Sequence, residues 1–147
     1  MTLQKSIAAA VEQMVTGQIH DKERYATNNR DLKSLYCVDD DIDGGFVRRK
    51  SRAVTAGDGR GNSDEQSFEL ILVASFNDVA NSSDLFEQRI DDVIDGFLTN
   101  NVVIANGKQY YCRKGKARSW RLVKNQPAMF AGVLVHYGVL EASFYSL

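Results

Sequence analysis

Residues 67–76, Ser-Phe-Glu-Leu-Ile-Leu-Val-Ala-Ser-Phe, decide the architecture of this chain. Phe68, Leu70, Leu72, Ala74 and Phe76 take alternate positions, the period-2 signature of a strand with one face on a core. Upstream, residues 57–66 (GDGRGNSDEQ) are rich in Gly, Asp, Asn and Ser, and before them Phe46 to Thr55 carries β-branched and aromatic residues around a basic middle. Two strands flanking such a cluster predict a long hairpin whose 57–66 loop projects from the body. Downstream, in NSSDLFEQRIDDVIDGFLTNN (81–101), Phe86, Ile90, Val93, Ile94 and Phe97 align on one helical stripe, with Ser83 or Asp84 placed to cap it. Asp91, Asp92 and Asp95 fall off that stripe and should face water, and the early carboxylates suit the positive end of the helix dipole.

Further out, Leu3, Ile7, Val11, Met14 and Val15 recur at helical spacing between Thr2, an N-cap, and Gly17, a stop. Residues 18–29 are polar and aperiodic and read as a connection; Leu32, Leu35, Tyr36 and Val38 fit a short helix or a strand equally well. The C-terminal third reads as strands over 102–104, 109–113, 120–123 and 129–144, with Asn106-Gly107 as a hairpin turn. This order predicts an α+β fold: an antiparallel or mixed β-sheet with two main helices packed on one face and a long β-hairpin loop. At 147 residues a single domain over 1–147 is expected. A chain of that size buries roughly 68–70% of the surface it would expose unfolded, so no disulfide or metal staple is required.

Composition narrows the function classes. Apolar residues make up 44% and charged residues 25%, with a single Pro, which excludes collagen-like and disordered chains. With 18 basic and 19 acidic residues the net charge is -1, so any nucleic acid or anionic surface would have to be met by a local patch. Cys37 and Cys112 lie far apart and form no CxxC pair, arguing against a zinc ribbon or redox site and for a reduced, cytoplasmic chain. The start lacks the charged and apolar regions of a secretion signal, and no run approaches the roughly 18 apolar residues of a membrane span. Neither export by the usual route nor a membrane partner is expected.

Four segments could carry chemistry. Asp39, Asp41, Asp43 and Gly44 match the first half of a calcium loop, but Lys50 stands where the bidentate Glu belongs, so they read as a solvated acidic turn and no metal is expected. The glycines of 57–61 resemble a phosphate cradle, yet no Lys-Ser/Thr and no helix follow; they suit a hairpin tip. A functional version of the tip would be an arm contacting a partner, with Asp58, Arg60 and Asn62 as contact candidates. Arg48, Lys50 and Arg52 share one face if strand alternation holds, and either pair across the hairpin with Asp64, Glu65 or Glu69 or meet an acidic surface of a neighbouring subunit or phosphate passing close by. Between Lys108 and Lys124 stand seven basic residues and no acid, with Tyr110, Tyr111 and Trp120 interleaved.

That basic stretch contrasts with the acidic helix 84–95. Separated charges in a near-neutral chain favour head-to-tail self-association, positive face on negative face. Arg48, Lys50, Arg52, Arg113, Lys116, Arg118 and Arg121 are therefore subunit-interface candidates, opposite Asp84, Glu87, Asp91, Asp92 and Asp95. The alternative is a small nucleic-acid-binding module on 108–124, its aromatics stacking bases without sequence-specific readout. His20 lies in a polar connection and His136 in an apolar strand, and no nucleophile, paired-carboxylate or zinc-protease motif accompanies them. No catalytic residue and no cofactor are expected.

The order of a helix at 3–16, a hairpin at 46–76, and a helix at 83–98 directly after the strand FELILVASFND resembles the tail terminator family of long-tailed bacteriophages. The resemblance is one of architecture and length over nearly the whole chain, and it carries over no single residue. It implies a non-enzymatic virion protein made in the host cytoplasm. Copies would form a homo-oligomeric ring, a hexamer in that family, that caps the tail tube, ends its polymerisation and presents the head-joining surface. The implied partners are the chain itself, the tail tube protein and head-tail connector proteins of the neck. Another connector or neck protein is the nearest alternative within that class.

Overall fold

The central hairpin of the sequence is also the centre of the sheet. In this computed structural model, which describes residues 1–26, 28–57, 61–77 and 81–146, β3 (Asp41–Ala56) pairs antiparallel with β4 (Asn62–Ser75) from Asp43↔Ala74 out to Ala56↔Asn62. Asn62 to Gln66, expected in the loop, therefore lie in β4; of the loop-contact candidates only Asn62 is described, and Asp58 and Arg60 lie outside the described residues. β4 pairs on its other side with β8 (Val133–Ser146) without interruption from Asp64↔Ser146 to Ser75↔Val135.

Among the described residues the sheet has eight strands. β1 (Gln18–His20) flanks β3 in parallel, β2 (Cys37–Val38) makes a tight antiparallel pair with the start of β3, and the order continues β3-β4-β8-β6-β5. β5 (Val102–Ala105) and β6 (Lys108–Cys112) are joined at the expected Asn106-Gly107 turn, where both residues take positive φ. β7 (Arg121–Phe130) pairs with the remaining length of β8's free edge. The chain's Pro, Pro127, lies on β7, an edge strand that tolerates a missing donor. The fold is α+β with a mixed sheet.

Three helices cover it: α1 (Leu3–Glu12), α2 (Asn29–Tyr36) and α3 (Ser82–Thr99). Thr2 caps α1 as expected, its hydroxyl accepting the Lys5 N–H. α3 starts differently from expectation. Asn81, in left-handed conformation, is the N-cap and makes no side-chain cap bond, while Ser83 and Asp84 are inside the helix. Residues 32–36, ambiguous in sequence, complete α2, and 37–38 leave it as β2. The reading of 18–29 as connection is corrected at both ends, by β1 and by the first residue of α2. A Cβ on Gly17 would overlap the Asp43 carbonyl, so only glycine allows β1 to leave α1 this close to β3.

Alternation in β4 divides the core in two. Phe68, Leu70, Leu72 and Ala74 pack in one cluster with Ile7 and Val11 of α1 and Phe86, Ile90, Val93 and Phe97 of α3. Ile71 and Val73 join Leu32 and Tyr36 of α2, with Ile42, Phe46 and Val135, in the other. Fully burying such side chains stabilises by about 1.5–3 kcal/mol each, so both faces at this end of the sheet are anchored. Towards the hairpin tip, residues 48–57 are all exposed.

Candidate subunit interface

The charged residues sort into those that meet an opposite charge within the chain and those that do not. On the sheet face shared with Ile71 and Val73, cross-strand register sets Arg48, Glu69, Glu141 and Arg121 in one row over β3, β4, β8 and β7. Glu69 and Glu141 stand directly opposite each other, an arrangement that is repulsive unless cations bracket it. They do: Arg48 reaches Glu69 at 2.9 Å, Arg121 reaches Glu141 at 3.1 Å, and the Lys50 ammonium lies 2.5 Å from Glu141 and 3.8 Å from Glu69. The Lys50 hydrogen bond, with Arg121 behind it, holds the Glu141 carboxyl below the usual range.

Arg52 does not share that face. A β-bulge between Arg49 and Ser51 shifts the register, so Arg48 sits opposite Glu69 but Arg52 sits opposite Gln66, and in an unbroken β4 those two positions face opposite ways. The expected single face of Arg48, Lys50 and Arg52 is thus split. Arg52 instead grips the buried Asp64 with two bonds of 3.1 and 3.3 Å. Gln66 and the Tyr110 hydroxyl each add a donor at 3.1 Å. Burial by itself would raise the Asp64 pKa, but these three donors together pull it below the usual range; burial and the same contact raise Tyr110. Glu65, the other expected cross-hairpin partner, is exposed and in no ion pair among the described residues.

The other charged set is uncompensated. Asp84, Glu87, Asp91, Asp92 and Asp95 are exposed on α3 and enter no ion pair among the described residues. The helix's one base, Arg89, is engaged with Asp43 at 3.1 Å. Asp91 and Asp95 share a stripe with Leu98, an apolar side chain 60% exposed. The turn after β6 carries Arg113, Lys114, Lys116 and Arg118, all exposed and likewise without an ion pair among the described residues. Sequence reading places these two patches on opposed faces; the structure brings them close, since the Ser119 hydroxyl donates to the Ile94 carbonyl at 2.6 Å and Trp120 packs on Phe97. Close as they are, they do not pair within the chain.

The remaining sequence candidates are taken up by the fold to different degrees. Asp39 takes a positive φ in the turn between β2 and β3, and Asp43, which would be a calcium ligand, receives Thr16 at 2.5 Å and Arg89. Arg89 thus stands where a cation would, and no cluster of metal-binding side chains occurs among the described residues. Of the three aromatics in the basic stretch, Tyr110 and Trp120 are 5% and 3% exposed and Tyr111 is 41% exposed, which leaves one ring for a base to stack on. Burial pushes the Cys112 thiol up to about 12, so it is no nucleophile at neutral pH.

One pair escaped the sequence reading. Ser82, at the start of α3, lies with its hydroxyl 2.9 Å from His136 Nε2, and it also accepts the Asn77 N–H. Both are buried, and His136 lies between Phe76 and Phe86. The contact ties the entry of α3 to β8. No signal could have revealed it, because 54 residues separate the partners. No protein-family model matches the chain, and no curated protein matches it.

Proposed function

We propose that this chain is a non-enzymatic structural subunit of a virion, of the tail terminator kind, whose copies close into a ring that caps a tail tube and joins it to the head. Residues of α1 and α3 packed in one cluster, and the long β3–β4 pairing, support this reading alongside the order of segments. One observation carries it: the basic turn 113–118 and the acidic face of α3 are both exposed and both lack ion pairs among the described residues. Several unpaired charges of each sign on a near-neutral molecule are matched when the turn of one copy meets the helix of the next. A polymerising tube offers a heterologous contact that extends without limit until a subunit matching only one side closes it.

The test is the assembly state of the purified chain, by light scattering and electron microscopy at low and high salt. Rings that dissociate as salt rises are expected, because exposed charge contacts are screened over about 10 Å at 0.1 M. A chain that stays monomeric at low salt both alone and with tube ends refutes the reading. A closed two-fold dimer, which adjacent patches of opposite sign would also permit, refutes the ring.

A further inference from the structure

We propose that the cavity between the start of α1, the end of β1 and the arm of β3 is a binding site for a phosphate group. It encloses about 420 Å³, within the range of small-molecule sites. Lys5 from α1, Lys22 just after β1 and Arg49 from β3 line it, and none of the three enters an ion pair among the described residues. Arg52 is the fourth cation on the wall, and Asp21 the carboxylate. Among the described residues, the one other carboxylate bonded to this set is Asp64, buried behind Arg52, Gln66 and Tyr110, all of whose bonds to it are made inside the fold. Four cations against two carboxylates leave a positive excess that no ion pair among the described residues offsets.

The cavity is built rather than incidental. The Gln4 side-chain amide donates to the carbonyls of both Asp21 and Val47, fixing the first turn of α1 against the segment after β1 and against β3. Three elements distant in sequence are thereby locked with their cations around one space. Thr2, Leu3, Gln4 and Lys5 bring the positive end of the α1 dipole to the same wall, with no acidic residue in the first turn. Lysine and arginine side chains lining one cavity together with a helix start match the oxygens of a phosphate. Phe68 and Tyr110, the aromatic rings of the lining, are 1% and 5% exposed, so they form floor and not a stacking platform. Recognition therefore ends at the phosphate. Its source is either a free phosphomonoester or the backbone of a nucleic acid, and the site does not depend on the ring contact proposed above.

The test is thermal unfolding of the full chain at low salt with three probes: inorganic phosphate, a nucleoside monophosphate, and a single-stranded oligonucleotide lacking a terminal phosphate. A saturable rise in Tm is expected, about 3–5 °C at tenfold excess over Kd. Lys22→Gln with Arg49→Gln, both at exposed side chains, should weaken binding at least tenfold and leave the ligand-free Tm unchanged; Lys5→Gln alone should weaken it less. Binding of the two small probes, whose phosphate carries a second ionisable oxygen that a phosphodiester lacks, without the oligonucleotide identifies a free phosphomonoester. Oligonucleotide binding that falls steeply with salt identifies the backbone. No saturable shift with any probe, an equal shift with glutamate at the same concentration, or unchanged binding by the double variant overturns the proposal.

Discussion

The ion row across β3, β4, β8 and β7 and the pair of patches at α3 and residues 113–118 use the same residue types to opposite ends. In the row, every charge has its partner set by strand register, and even the facing Glu69 and Glu141 are bracketed by cations of the same sheet. At the patches, five carboxylates along α3 and four cations in the turn leading to Ser119, whose hydroxyl bonds the C-terminal half of that helix, are left unmatched among the described residues. Charge content alone therefore does not distinguish the two regions; the presence or lack of an internal partner does. The largest expected effect follows from that difference. Asp91→Lys with Asp95→Lys should weaken self-association about 30-fold or more with unfolding unchanged, since each reversal turns an attraction into a repulsion. Arg113→Glu with Arg118→Glu should do the same, and mixing the two variants should restore assembly between unlike copies. Sedimentation of the single and mixed variants checks this.

A second experiment attacks the internally matched set. Asp64 receives Arg52, Gln66 and Tyr110, and removing its carboxylate strands two buried donors. Asp64→Ala should therefore cost about 2–3 kcal/mol of folding stability, read from the urea midpoint, with no selective loss of assembly. Assembly lost at unchanged stability would place this cluster in the interface instead.

These two sets could not be told apart in the sequence, and the reason is local. Strand alternation from Phe68 to Ala74 and the stripe Phe86, Ile90, Val93 and Phe97 were legible because burial on a regular element leaves a period in the chain. The Asn106-Gly107 turn was legible because few residues accept positive φ. The bulge after Arg49 leaves no such mark, yet it turns Arg52 to the face away from Arg48. β1 is three residues long and is held by a parallel neighbour 26 residues on, so periodicity had nothing to report. The strand expected from 129 to 144 is two strands, turning at Ala131-Gly132, where both residues take positive φ. The patch residues were legible as charges; which of them lacked a partner depended on pairing across strands far apart in sequence.

Acid offers a smaller effect, read on folding stability, that reports on the matched set. Asp64 and Glu141 both have folded pKa values below their ordinary ones. The stability they contribute is therefore fully present above the unfolded carboxylate range, about 4, and is lost as pH falls through the lower folded values. Wild type should lose more stability between pH 5 and pH 3 than the Asp64→Asn, Glu141→Gln variant, whose curve should be flatter in that window. Equal slopes would mean that the two carboxylates gain nothing from their partners on folding.

The smallest effect is the most discriminating about how the row works. Arg121 is 73% exposed on its side chain and lies on an edge strand, so its pair with Glu141 is of the surface kind, contributing at most about 1 kcal/mol. Its removal leaves Glu141 with Lys50, the closer cation, and the Glu141–Glu69 repulsion stays screened. Lys50 is the cation that reaches both carboxylates, so its loss leaves Glu69 and Glu141 with one arginine each and no shared cation between them. Lys50→Ala should thus destabilise more than Arg121→Ala, and the double variant should lose more than the two single losses added, because each cation covers for the other at Glu141. Simple additivity in a denaturant cycle would reduce the row to independent surface pairs and leave the Glu69–Glu141 register without an electrostatic explanation.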